Sequence, residues 1–307
     1  MPGMLTRREF ILAGSLAVLG ACARKPAPPA TTTLNDVIAN RTQGVQVIWV
    51  QVELLSGRTE RLPFALIGAD GPINGATGRF WIARNRESEA LGPYDFRHVG
   101  GELGERGLYV GEVSVPEDGL WLLAVEATPP GGATPALGVA QIQAGATNQM
   151  PKPGDAAVSV ATPTTRKHRG VDPICTRRPP CGMHETSLDD ALAAGSPVVL
   201  TIGTPRFCQS ATCGPVVDVL EGVRDEFPGV TFVHAELLRD DHDDTVAAYA
   251  GQRPSDYEGS PIAPAAVAWN VTEEPATYYI GADGTIVERH LSGIDEVDAR
   301  AAIAALT

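Results

Sequence analysis

Basic residues are scarce in the second half of this 307-residue chain. Residues 171–307 carry 8 Lys and Arg against 22 Asp and Glu, a balance of −14, whereas residues 1–170 carry 16 against 15, a balance of +1. An acidic surface repels nucleic acid and offers no polybasic patch to anionic lipid, which leaves proteins or small solutes as partners. Long apolar runs are also missing. The run from Phe10 to Leu19 is too short to span a bilayer comfortably. Cysteine is rare, 5 in all, and none falls between residues 45 and 147, so no intersheet disulfide is possible there. That same region shows no titratable cluster, and no periodic apolar pattern precedes Val45 once the N-terminal run has ended.

What is present begins with Arg7-Arg8 ahead of the apolar run, which ends in Gly20-Ala21-Cys22, and residues 1–22 read as a signal segment. Thr6-Arg7-Arg8-Glu9-Phe10-Ile11 resembles a twin-arginine export signal, the alternative being an ordinary positive segment feeding general secretion. Leu19-Gly20-Ala21-Cys22 resembles a bacterial lipobox. The resemblance implies lipidation at Cys22 and an extracytoplasmic protein anchored to the cell membrane. Residues 23–44, rich in Pro, Ala and Thr, read as a semi-extended tether.

The length suggests about two domains after the signal. Residues 45–147 hold short alternating runs between turn residues, an antiparallel β pattern. Strands are predicted at 45–54, 60–67, 78–83, 108–115, 119–126 and 136–143. This spacing suggests an immunoglobulin-like sandwich, with Trp49, Trp81 and Trp121 as core aromatics and a spacer or protein-binding role by default. Residues 148–170 read as a linker whose basic run, Arg166-Lys167-His168-Arg169, is a solvated face.

Residues 171–307 hold the other four cysteines. Cys175 and Cys181 lie in a Pro-rich loop. A metal site there would need two more ligands, of which His184 is near enough to be one; in an oxidising compartment the simpler reading is a structural disulfide. No metal set and no cofactor is expected. A short helix from Ser187 precedes the apolar strand 197–203, and Cys208 and Cys213 follow at the turn into the next helix. If Cys208 caps that helix, its sulfur faces unpaired N–H groups and the positive end of the dipole, which favours thiolate; a disulfide pinning the helix terminus is the other reading. A strand at 230–236, a hairpin turning at Asp283-Gly284 and a closing helix from about Asp295 complete the order βαβ then ββα.

This order, with Phe207-Cys208 after a buried strand, Pro215 in the helix, Glu274-Pro275-Ala276-Thr277 before the hairpin and Gly293 after it, resembles the thioredoxin fold. The resemblance covers roughly residues 184–307. It implies thiol–disulfide exchange on exported proteins, with Cys208 attacking, Cys213 as its partner, and Pro275 as a cis-proline shaping the groove. Four residues separate the cysteines where the family has two, and no acid lies on the strand before the loop, so proton transfer to Cys213 needs another group or water. Arg206 is expected to favour the thiolate and Glu274 to oppose it. Two alternatives stand beside this reading: a non-catalytic binding module with structural disulfides, and copper delivery by Cys208, Cys213 and one of His184, His234 or His290. The acidic run Asp240–Asp244 reads as a solvated loop.

Overall fold

A computed structural model describes residues 32–39, 41–51, 54–131, 134–145, 150–251 and 260–306. Residues 1–31, including Cys22 and the signal segment, lie outside the described residues. No described helix is long and apolar enough to cross a membrane.

The first part runs α1 (Leu34–Ala39), β1 (Thr42–Gln43), β2 (Gln46–Trp49), β3 (Thr59–Gly68), β4 (Gly71–Pro72), β5 (Thr77–Ala83), β6 (Leu91–His98), α2 (Gly101–Glu105), β7 (Leu108–Ser114), β8 (Gly119–Thr128) and β9 (Ala136–Ala144). The pairing order is β1-β9-β8-β5-β6-β7-β3-β2, with β4 on β3. The sheet curls so that alternate residues of its two halves, among them Leu62, Phe64, Phe80, Ile82, Tyr109, Leu123 and Ile142, meet in one core. Trp121 belongs to that core, Trp49 packs against it, and Trp81 sits under α1 with Leu34 and Val37. The end of the expected tether is therefore docked helix, because Leu34 and Val37 have an apolar patch to cover. β6 has no counterpart among the predicted strands: Gly92, Pro93 and its charged residues hide the alternation, and its face is only half buried.

The second part runs α3 (Leu188–Ala193), β10 (Val198–Ile202), α4 (Cys213–Val223), β11 (Thr231–Ala235), α5 (Asp243–Tyr249), α6 (Pro264–Ala268), β12 (Ala276–Ile280), β13 (Ile286–His290) and α7 (Glu296–Ala304). The sheet order is β11-β10-β12-β13, with β10 parallel to β11 and antiparallel to β12. Every residue of β10 is buried because both faces are covered. Val199 packs with α4 and α7 on one side, while Val198, Leu200 and Ile202 pack with α3 and α6 on the other. The hairpin turns where predicted, Gly284 taking φ 80° at the position that favours glycine.

Residues 150–165, expected as a linker, are part of this second core. Met150, Val158 and Val160 pack on it, and Ala157 N–H donates to the Gly284 carbonyl at 2.8 Å. The run Arg166–Arg169 is exposed, as read from the sequence.

The charge imbalance between the halves has a local use. Asp295 caps α7 and forms a capping box with Asp298, and sandwich arginines reach this acidic helix start. Arg61 Nη2 donates to Asp298 Oδ2 at 2.6 Å and to the Gly293 carbonyl at 2.8 Å, and Arg97 pairs with both acids. Removing Asp298 takes the carboxylate partner from Arg61, a pair that is nearly buried on both sides, while Arg97 keeps Asp295. Asp298→Ala is therefore expected to cost roughly 3 kcal/mol in urea unfolding, the scale for breaking a buried pair; a loss within experimental error would show that water replaces the carboxylate at no cost.

Candidate active site and a second thiol cluster

β10 ends at Ile202 and the chain turns through Gly203 and Thr204 into a loop that reaches α4 at Cys213. Cys208 and Cys213 are joined by a disulfide with Cα atoms 6.0 Å apart. Cys208 is not the helix cap: Thr212 holds that position and Cys213 is the first helical residue, because four intervening residues let the loop fold back. The electrostatic consequence survives, since Cys213 N–H, a free donor of the first turn, points at Cys208 Sγ over 3.3 Å. Cys208 is half-buried and Cys213 is 1% exposed, so Cys208 is the sulfur a partner can reach.

The Glu274–Pro275 peptide is cis, as the resemblance implied. Gly203 is wedged between the disulfide and this proline: a Cβ there would lie 3.1 Å from Cys213 Sγ and 3.5 Å from Pro275 Cα. A Cβ at 203 would need Cys213 Sγ to give by a few tenths of an ångström while only touching Pro275.

One buried acid, Glu274, supplies what the strand before the loop lacks, and a second, Glu236, braces the loop. A Glu274 carboxylate oxygen lies within 4.8 Å of both disulfide sulfurs. Burial pushes the Glu274 carboxyl above the usual range, although Tyr249 Oη–H donates to Oε1 and Thr204 N–H donates to Oε2 at 2.7 Å. Glu236, just beyond β11, is also raised by burial; it accepts from Thr176 N–H at 2.6 Å and from the Thr204 hydroxyl. Glu274, expected only to oppose the thiolate, is thus placed to take or give a proton. Arg206 does not face the sulfur: it pairs with Asp241 at 3.5 Å and stacks on Phe207.

A cleft of about 200 Å³ opens beside this loop. Ser210, Thr212 and Glu274 form one wall, and Val50, Leu103 and Leu108 of the sandwich form the other.

The expected Cys175–Cys181 disulfide is contradicted. Both are free thiols whose sulfurs, 3.8 Å apart, are in hydrogen-bond contact with each other and with two histidines. Cys181 Sγ lies 3.3 Å from His184 Nε2 and 3.4 Å from His234 Nδ1, and Cys175 Sγ lies 3.8 Å from His234 Nδ1. All four side chains are buried. His184 was in reach of sequence reasoning for this cluster; His234, weighed from the sequence only as a partner of Cys208 and Cys213, arrives from β11. Its one signal is a histidine inside a strand otherwise built to be buried. Because both histidines serve this cluster, neither joins Cys208 and Cys213, and His290 instead packs edge-on against Tyr279. The copper set weighed from the sequence is thus not assembled among the described residues.

No family model and no curated protein matches the chain. Among solved structures it is similar to a putative thiol:disulfide interchange protein, DsbE, from Chlorobium tepidum, at 17% identity and TM-score 0.32, over 52% of this chain and 99% of that one. A thioredoxin family protein from Chlorobium tepidum TLS gives 16% identity and TM-score 0.30 over 52% and 99%. Fibronectin(III)-like modules of Clostridium thermocellum CbhA give 15% identity and TM-score 0.20 over 36% and 50%.

Proposed function

We propose that this chain carries out thiol–disulfide exchange on exported proteins, held at the extracytoplasmic membrane surface by a lipid on Cys22. The observation that carries the reading is the Cys208–Cys213 disulfide at the start of α4, its outer sulfur facing a helix N–H and its inner sulfur beside a buried carboxyl. A thiolate of the partner attacks Cys208 Sγ, the Cys208–Cys213 bond breaks, and Cys213 leaves as thiolate and takes a proton from Glu274, directly or through one water. A second partner thiolate then attacks the partner's own sulfur in the mixed disulfide and releases Cys208 as thiolate, stabilised by the helix terminus. One disulfide appears in the partner and one is lost here. The reverse sequence reduces a partner disulfide by the same bonds. The cleft receives an extended segment, with the sandwich as its second wall.

Cys213→Ala leaves Cys208 without its resolving thiol, so exported partners are expected to accumulate as covalent adducts that a reductant dissolves. Adducts should vanish in Cys208→Ala/Cys213→Ala. Absence of any Cys208-dependent adduct removes the exchange reading.

A further inference from the structure

We infer that Cys175, Cys181, His184 and His234 form a tetrahedral Zn²⁺ site, separate from the disulfide and independent of the exchange reading. A zinc ion with Zn–S of about 2.3 Å and Zn–N of about 2.0 Å sets its sulfurs about 3.8 Å apart and each sulfur about 3.5 Å from each nitrogen. The sulfurs here are 3.8 Å apart, and the sulfur–nitrogen distances are 3.3, 3.4 and 3.8 Å. All four ligand atoms fall within 4.8 Å of one another. A disulfide would need about 2 Å between the sulfurs, so the cluster is spaced for an ion in its middle and not for a bond.

The surroundings fix the ligands in the orientation that a metal needs. His234 Nε2–H donates to the Gly203 carbonyl at 3.1 Å, which leaves Nδ1 as the lone pair aimed at the sulfurs, the usual outer-shell device of a ligating histidine. Nδ1 of His184 is buried without a hydrogen-bond partner, so burying that ring is offset only by what Nε2 binds. The cysteine loop is tied down on three sides. Thr176 N–H bonds Glu236, Arg177 pairs with Asp218, and Gly182 N–H donates to Glu221 at 3.0 Å.

Charge balance favours a divalent ion. Two thiols and two neutral imidazoles plus Zn²⁺ give a neutral ZnS₂N₂ centre and release two protons, which suits a site where the four side chains are at most 6% exposed. S₂N₂ donors in a closed tetrahedron select zinc over harder cations, and four protein donors leave no open position for water, the pattern of a structural site. The Gly203 carbonyl and Thr176, whose hydroxyl accepts from Arg206 N–H at 3.2 Å, put the centre directly behind the Cys208 loop.

The test uses the full chain, reduced, stripped with chelator, reloaded with zinc alone and analysed for metal by mass spectrometry. One zinc per chain is expected in the wild type and in Cys208→Ser/Cys213→Ser, and none in Cys181→Ser or His234→Gln. Cobalt loading of Cys208→Ser/Cys213→Ser is expected to give thiolate charge-transfer bands and tetrahedral d–d bands, which decides the matter even if the ligand variants fail to fold. The inference is overturned by protein that binds no zinc above the buffer blank. A Cys175–Cys181 disulfide in peptide maps overturns it as well, as does zinc that is lost in Cys208→Ser/Cys213→Ser but kept in Cys181→Ser.

Discussion

Cys208→Ser is expected to reduce exchange with a small disulfide such as oxidised glutathione by roughly 10³-fold or more, because a hydroxyl at this position forms no mixed disulfide. Cys213→Ser should differ in kind. It leaves the exposed sulfur beside the helix N–H, so the first attack persists and the protein accumulates as a glutathione adduct that mass spectrometry detects. The contrast follows from burial: Cys213 is 1% exposed and meets a partner only through Cys208. Equal loss in both variants, with no adduct in either, would mean that the disulfide serves only to pin the start of α4.

Glu274→Gln is the second large effect, expected at about 10²-fold, the lower end of what a positioned proton carrier contributes. The amide keeps an acceptor for Tyr249 or Thr204 but has no titratable proton to exchange. The pH profile separates this role from packing. When Cys213 attacks the mixed disulfide, its proton must go to the ionised carboxylate, so the wild-type resolving rate rises with pH as Glu274 ionises, and burial places that rise above the ordinary glutamate range. In Glu274→Gln the rise disappears and only ionisation of the thiol itself remains. Tyr249→Phe removes a hydrogen bond that favours the carboxylate, so the profile should move to higher pH without vanishing. Stopped-flow rates from pH 5 to 9 read all three, and a profile unchanged in Glu274→Gln would leave the proton to water.

Strong local patterns were enough to place most of the fold. The almost wholly apolar Val198–Ile202, the Asp283-Gly284 turn and the alternating strands of the sandwich each carry their own period or turn chemistry. β6 and the docked segment 150–165 do not, since Pro93 and the prolines after Met150 read as breaks while tertiary contacts supply the pairing. The site was legible to the same degree. Cys208, Cys213 and Pro275 are marked by position in a recognisable order. Glu274 was marked only as a charge opposing the thiolate, and Glu236 and Gly203 were not marked at all, because their importance comes from facing the sulfurs or the loop. The Cys175–Cys181 pair shows the limit most plainly: six residues apart in the chain, they suggest each other, and only the crossing of β11 brings His234 between them.

In the proposed function the Cys208–Cys213 bond exchanges with partner thiols. Equilibrating the purified chain against glutathione or dithiothreitol buffers and counting alkylated Cys208 and Cys213 gives its potential directly. A value above about −300 mV, within reach of cellular thiol partners, is the predicted result; one well below about −300 mV marks an inert structural bridge and contradicts exchange at this site.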